Sequence, residues 1–585
     1  MSTVPAIAER SSLSPAMTVV AGVAFGGAVG GMMLEPNAAF ISSYFLSEDT
    51  PVLLFFGVFF VALVAWLRND LRSLAPSALA PRHPRRIVAI TLIVVCGVVW
   101  MGSHLVYRSY GLSLDEFMAD FDARIIATGR LLASVAPDWR AYVPALQPIF
   151  RLEVADNAYW ISSYLPMNAA IRAPFVLLGE PALQGVVLAA ISLLALFGVA
   201  RRLWPERPDA AVVGVVLLAC SSQFLITAMT PYAMTAHLAL NTIWLWLFLR
   251  DSRAGHVMAG GVAFVACGLH QVVFHPLFAA PFVLSLALAR RWTLTAYYTG
   301  VYAVAGLFWI LYWSLVLRAA HAPMAEAADG GVLQFVHRVA YMVDLNAGSF
   351  VQLGLNVLRF VAWQSPLLIP LAAVGLTAGR EGNRTIVALA GGIALTLTAV
   401  LVLMPFQGHG WGYRYLHGLL GSFSLIAAQG WIYVTDRGVQ ESRKAAGALV
   451  ASVLVSVLVL LPWRLVQVDA LVKPYATAHE AIDHADADVV IVDPTDIWYG
   501  EDLARNDPLL TARPKVLSLP RLDETRLAAL CRRYDVAIFD RDDARQFGIP
   551  IFESPQQMTD RDRQLRDLAQ SWGCGRRLAA AAARK

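Results

Sequence analysis

The chain has 585 residues, of which 57% are hydrophobic and 15% charged, with a mean hydropathy of +0.57. A soluble protein of this length divides into several domains and carries far more charge, so the composition excludes that class. The net charge of +4 is small. No nucleic-acid partner is expected, and the lipid bilayer is.

The first residues, MSTVPAIAERSSLSPAM, hold one Arg and no small-residue cleavage site ahead of a short apolar core. No removable signal peptide is expected there. About thirteen apolar stretches of spanning length follow, at 17–34, 51–67, 86–105, 183–200, 211–228, 232–249, 256–274, 276–289, 293–315, 353–375, 385–404, 414–433 and 446–464. The eighth is short; read as a re-entrant segment, it reverses everything downstream. The glycines of GGAVGG (26–31), with Gly22, recur at a spacing of four and predict a helix-packing face.

Arginine placement sets the orientation. With the N-terminus inside, the inner loops are 68–85, 201–210, 250–255, 290–292, 376–384 and 434–445, and each is short and basic. Three larger segments then lie outside: 106–182, 316–352 and the tail from about 465. In the tail, DVVIVD (488–493), KVLSL (515–519) and DVAIFD (535–540) are β-branched runs around a helical stretch, DETRLAALCRRY (523–534). That alternation predicts a small α/β domain. Cys531 and Cys574 lie in it and are able to pair in an oxidising compartment. Its DPTD (493–496) and DRDD (540–543) stretches read as turn chemistry.

Polar chemistry gathers on the outer side. Of twelve His, only His83 and His256 fall inside. The stretch SLDEFMADFDARI (113–125) directly follows the third span and carries Asp115, Glu116, Asp120 and Asp122. Residues 115–135 read as an interfacial helix whose apolar face is Phe117, Phe121, Ile125 and Leu132. Four carboxylates so spaced do not share one helix face. Asp115 and Glu116 sit in the first turn, where Ser113 is a cap and acids suit the helix dipole, so capping competes with a catalytic role. Asp120 and Asp122 read as a solvated face.

An Asp-Glu pair after an early span, opening a long outer loop, resembles the C-type (GT-C) membrane glycosyltransferases. The resemblance is to the protein O-mannosyltransferase and aminoarabinose-transferase branch. DEFMADFDARIIATGRLLA resembles that branch's acidic loop start, and TPYAMTAHLALNTIWLWLFLRD (230–251) is similar to a later pair of its spans. Here the pair follows the third span, and FMAD stands where Arg-Tyr is common. The resemblance implies a GT-C-like core at 86–465 with its large outer loop at 106–182. Residues 1–85 are then an added two-helix extension, and 466–585 a periplasmic α/β domain.

The resemblance further implies inverting transfer of a sugar from a polyprenyl-phosphate-linked donor to an acceptor hydroxyl of a lipid, glycan or protein, at the outer face of a bacterial inner membrane. On that reading Asp115 is the base, and Glu116 orients it or contacts the acceptor. GHGWGYRYLHG (408–418) supplies His409, Arg414 and His417 for the donor phosphate, because Arg forks onto two phosphate oxygens. An interfacial anchor is the competing reading of Arg414. His270 and His275, in GLHQVVFHP (268–276), are further phosphate candidates. Five residues apart, they do not stack as a zinc pair does. No cofactor is expected, with a divalent metal left open. Two other functions stay open: a transporter or flippase of a polyprenyl-linked lipid, and a non-catalytic scaffold.

Overall fold

A computed structural model describes residues 13–33, 44–68, 83–322, 343, 346–379, 383–552, 560–572, 574 and 576–577. Arg72, Arg82, His337 and Arg380 lie outside them. The chain is a polytopic α-helical membrane protein. Among the described residues, eight helices are long and apolar enough to cross a membrane: Leu13–Met33, Phe45–Arg68, Pro84–Leu105, Leu183–Leu203, Trp292–Ala319, Arg384–Leu403, Arg414–Thr435 and Val439–Asp483. A ninth is counted if Pro208–Ala219 and Ser222–Ala228, bent by 60°, form one span. Met234–Phe248, Arg253–Cys267 and Phe274–Leu288 are apolar but shorter.

The stretch expected as one span at 353–375 is two helices, Ala347–Ala362 and Leu368–Gly379. Pro366 lies in the gap, and the residue before a proline resists the helical conformation. The freed polar groups are met by the other broken span. Ser221 Oγ donates to Gln364 Oε1 (2.8 Å), Gln364 Nε2 to Gln223 Oε1 (2.9 Å) and Gln223 N to Trp363 O (3.2 Å). Irregular backbone at membrane depth survives only where protein satisfies it in this way. The small-residue face is made by Gly27 and Gly31, whose Cβ positions would collide with Leu358 and Phe45; Gly22, Gly26 and Gly30 face open space.

The basic loops meet at one end of the bundle. Arg202 donates to Leu249 O (3.0 Å), Arg207 pairs with Asp436 (2.5 Å), and Arg291 pairs with Asp251 (2.6 Å). The acidic loop lies at the opposite end. The last helix, Val439–Asp483, runs unbroken past residue 465, with a π-helical turn at Ser456–Leu460.

Beyond it, β3 (Val489–Val492), β4 (Lys515–Ser518), β5 (Val536–Phe539) and β6 (Arg576–Arg577) form a parallel sheet in the order β4-β3-β5-β6. Helix Glu524–Arg533 follows β4, as the spacing predicts. Cys531 and Cys574 form a disulfide. Asp493 accepts from Thr495 N and Oγ, and Asp540 caps Arg541–Phe547, so both acidic stretches are turn and cap chemistry.

This domain docks on the outer loop, which holds the short strands β1 (Ala133–Ser134) and β2 (Tyr159–Trp160). Trp160 Nε1 donates to Pro508 O (2.8 Å), and Asn506 Nδ2 to Leu146 O (2.8 Å). Arg505 donates to Leu112 O (2.6 Å) and also to Gly111 O, at the entrance of the acidic helix.

Candidate active site

The acidic segment forms a helix at Leu114–Ala127. It is shorter than the expected 115–135 and ends before Gly129, whose φ of 76° no helix interior adopts. Ser113 starts it. Ser113 Oγ accepts from Glu116 N (3.2 Å), and Ser113 N donates to Glu116 Oε2 (2.9 Å), a reciprocal capping box. Ser113 Oγ also bonds the Tyr232 hydroxyl (3.0 Å), which donates to His409 O (3.1 Å). The cap of the acidic helix is thereby tied to the loop that carries Arg414.

The four carboxylates take four different partners. Asp115 accepts from Arg414 Nη1 (2.5 Å), with His270 Nε2 at 3.8 Å from its other oxygen. Burial opposes the charge on Asp115, but Arg414, His270 and Tyr164 outweigh it and hold the carboxyl well below its usual range. Glu116 is fully buried in the cap, and burial pushes it up to about 8. Asp120 pairs with Arg172 (2.5 Å). Asp122 accepts from Ser162 N (3.0 Å) and from Ser162 Oγ. The expectation that Asp120 and Asp122 form a solvated face is therefore wrong. The outer loop folds back over that face, and burial raises Asp122 to about 7.

Arg414 is held by its loop. Its backbone N donates to Gln407 Oε1 (2.9 Å), and Gln407 Nε2 donates to Gly412 O (2.9 Å). Gly412 has φ 64°, and a Cβ there would lie 2.6 Å from Gln223 Oε1, so glycine is required twice over. The guanidinium stands over the rings of Tyr232 (5.4 Å) and Tyr415 (5.6 Å). Its Nε has no hydrogen-bond partner among the described residues.

The ion pair separates two cavities. One is lined by Asp115, Asp122, Tyr164, Asn168 and His270. The other is lined by Arg414, His237, Asn241, Phe274, Thr396 and Tyr415. Around them, His237 and His417 are buried with both ring nitrogens unpartnered among the described residues, and His270, largely covered, has only the 3.8 Å approach of Nε2 to Asp115. Buried polar groups are ordinarily paired, so these open nitrogens set the surroundings of the ion pair apart.

The other expected residues divide. His409 lies beside the pair. Its Nδ1 meets Tyr44 OH (3.0 Å), and burial, with Arg414 and Arg359 nearby, pushes it down to about 3, leaving it neutral. His275 is committed elsewhere, to Asn241 Oδ1 (2.7 Å) and Tyr302 OH (3.1 Å), and is not brought to the pair. Among the described residues no group of three or more His, Cys, Asp or Glu is arranged to hold a metal ion.

Tyr164, Tyr232 and Gln407 were not anticipated from the sequence; the two tyrosines act through partners dozens to hundreds of residues distant, whereas Gln407 acts locally, on Gly412 and Arg414. A second centre was also missed: Asp49, from the segment expected as an extension, accepts from Arg359 Nε (2.8 Å), Arg464 Nη2 (2.9 Å) and Trp363 Nε1 (2.6 Å).

A multi-span membrane protein with a carboxylate–guanidinium centre at the end of the bundle opposite its basic loops is the class these features define. No protein-family model matches the chain, and no curated protein matches it. Among solved structures it is similar to ArnT from Cupriavidus metallidurans bound to undecaprenyl phosphate, with 13% identity over 73% of this chain and 85% of that one, at a TM-score of 0.48. The apo form of the same protein matches with 14% identity over 76% and 94%, at 0.46.

Proposed function

We propose that the protein is a polyprenyl-phosphate-sugar-dependent glycosyltransferase acting at the outer face of a bacterial inner membrane. The observation that carries this reading is the Asp115–Arg414 pair set between two cavities among unpartnered imidazoles. In the reaction the acceptor hydroxyl gives its proton to Asp115, and its oxygen bonds the anomeric carbon. The bond from that carbon to the phosphate oxygen breaks, and its electron pair stays on the phosphate. A single displacement inverts the anomeric centre. Phosphate is already charged as a leaving group, so one base and one cation suffice.

Asp115 locked to Arg414 is a weak base. A donor phosphate that claims the guanidinium loosens this pair, and burial then raises the carboxylate toward a useful basicity. The base is thus armed by donor binding. Glu116 serves as a positioning residue through the cap. Orientation follows from the basic loops gathered at the other end, and the disulfide suits the oxidising side.

The test compares envelope lipids and glycans by mass spectrometry in a deletion strain, with and without rescue by wild type or Asp115→Asn. The expected result is a product lost on deletion, restored by wild type and not by Asp115→Asn, with a prenyl-phosphate sugar accumulating. Full rescue by Asp115→Asn overturns the proposal.

A further inference from the structure

A third cavity, of about 430 Å³, lies on the back of the acidic helix. At 100° per residue, Asp120 and Arg124 point roughly 140° and 180° away from Asp115. The helix therefore partitions two spaces, and this one is remote from the ion pair. Its walls include His104, Tyr110, Asp120, Arg124, Arg172 and Glu180.

Most of these charges are already paired. Arg172 holds Asp120 and also donates to Pro181 O (3.0 Å) and Gln184 Oε1 (2.9 Å). His104 meets Glu180 (2.9 Å) and Ser109 Oγ (3.0 Å). Two groups are left over. The exposed Arg124 guanidinium makes no side-chain hydrogen bond or ion pair among the described residues, its charge acting only at longer range on Asp483 and His479, and the Tyr110 hydroxyl is buried with no partner among them. The His104–Glu180 pair is itself about a third exposed.

Exposed apolar side chains flank the lining residues along the chain. Trp100, Met101 and Leu105 stand exposed on the helix that ends beside His104, and Leu177 and Leu178 stand exposed just before Glu180. A polar chamber with an apolar rim, at the end of membrane-spanning helices, matches an amphipathic molecule rather than a soluble one.

We propose that this cavity binds the headgroup of a zwitterionic glycerophospholipid bearing a primary amine. Its phosphate meets Arg124 and the Tyr110 hydroxyl, its ammonium meets Glu180, and its acyl chains run along Leu105, Leu177 and Leu178. Glu180 meets His104 through Oε1 alone, which leaves its other carboxylate oxygen for a cation, whereas a purely anionic headgroup offers it none. A primary ammonium donates hydrogen bonds to a carboxylate, whereas a quaternary one cannot. The volume also suits a headgroup. The site stands independently of the proposed transfer reaction.

Native mass spectrometry of the full chain, supplied with phosphatidylethanolamine, phosphatidylcholine or phosphatidylglycerol of matched chains, tests this. Phosphatidylethanolamine is expected to be retained at least about fivefold better than either other lipid. Arg124→Ala, at an exposed position and expected to leave the melting temperature unchanged, should lower that retention by at least about fivefold. Glu180→Gln should erase the preference over phosphatidylcholine. Soluble phosphoethanolamine, which lacks the chains, should not compete at millimolar concentration. Equal retention of the three lipids by wild type, wild-type retention by both variants, or displacement by phosphoethanolamine overturns the proposal.

Discussion

Two buried aspartate–arginine centres lie on either side of the loop at 407–414, and they are built to opposite ends. Asp49 is fully enclosed and takes three donors, two of them guanidinium groups. Those arginines also donate to the carbonyls of Gly410, Glu48 and Ala362, and Arg464 stacks over Trp363 at 4.1 Å. Among the side chains of that centre's charged trio, only Arg464 Nε is left open. Asp115 instead has one guanidinium, an imidazole at 3.8 Å and a cavity on each side. A buried ion pair is weak evidence of anything by itself, since desolvation offsets much of its attraction. What separates the two is the state of their neighbours. Where the carboxylate takes three donors and one guanidinium nitrogen alone is left open, the pair fastens helices together. Where imidazoles stand open around it, the pair is ready to exchange partners.

The comparison breaks first at Asp115. Asp115→Asn keeps the shape and removes the base, and transfer is expected to fall by about 100-fold to 10,000-fold. Donor binding, read with a polyprenyl-phosphate sugar on purified protein in nanodiscs, should survive. Wild-type turnover in this variant would return Asp115 to a structural role.

Asp49→Ala should do the reverse. It strands two buried guanidinium groups, and removing one partner of a buried pair costs about 3–5 kcal/mol. A large fall in melting temperature in detergent is expected. Because Arg359 also holds Gly410 O (3.2 Å), the Arg414 loop should loosen with it. An Asp49→Ala protein as stable as wild type would mean that the extension is not fastened through this centre.

The open centre was partly legible in the sequence, and the closed one was not. An acid pair after a span and an arginine at an outer helix end are local signals, so Asp115 and Arg414 stand out in the sequence itself. The tail's sheet shows for the same reason, because β-branched runs such as 489–492 repeat at short spacing. Asp49 and Arg359 are 310 residues apart, and no local pattern joins them. Asp120 and Asp122 look solvated only until the outer loop covers them, a tertiary event that helical periodicity does not report. The break at 363–367 did carry a signal, Pro366, which an apolar count of that length overrides.

Arg414→Lys sharpens the comparison at smaller scale. Lysine keeps the charge and loses the planar fork that spans two phosphate oxygens. The polyprenyl-phosphate sugar should bind at least about tenfold more weakly, one decade for about 1.4 kcal/mol. Arg318→Lys, outside the site, is the control. Unchanged affinity would leave Arg414 as an anchor and move the phosphate toward His270.

Glu116→Gln should have the smallest effect, and its sign depends on pH. In the folded protein burial holds Glu116 up at about 8, against an ordinary 4.5, so the carboxyl is protonated at neutral pH. The unfolded chain ionises it near its ordinary value. Unfolding therefore releases a proton between those limits. The stabilisation from this group is complete below the ordinary value and is lost as pH rises through about 8. Glutamine retains the acceptor that the capping box needs and has no charge to lose. The variant should match wild type in melting temperature near pH 5 and exceed it progressively toward pH 8.5, with transfer changed by no more than a few-fold. A variant that tracks wild type at every pH would mean that Glu116 is ionised in the fold. A loss of transfer as large as that of Asp115→Asn, with the helix still capped, would place Glu116 among the groups that touch substrate. The division of labour between the two neighbouring acids would then fail.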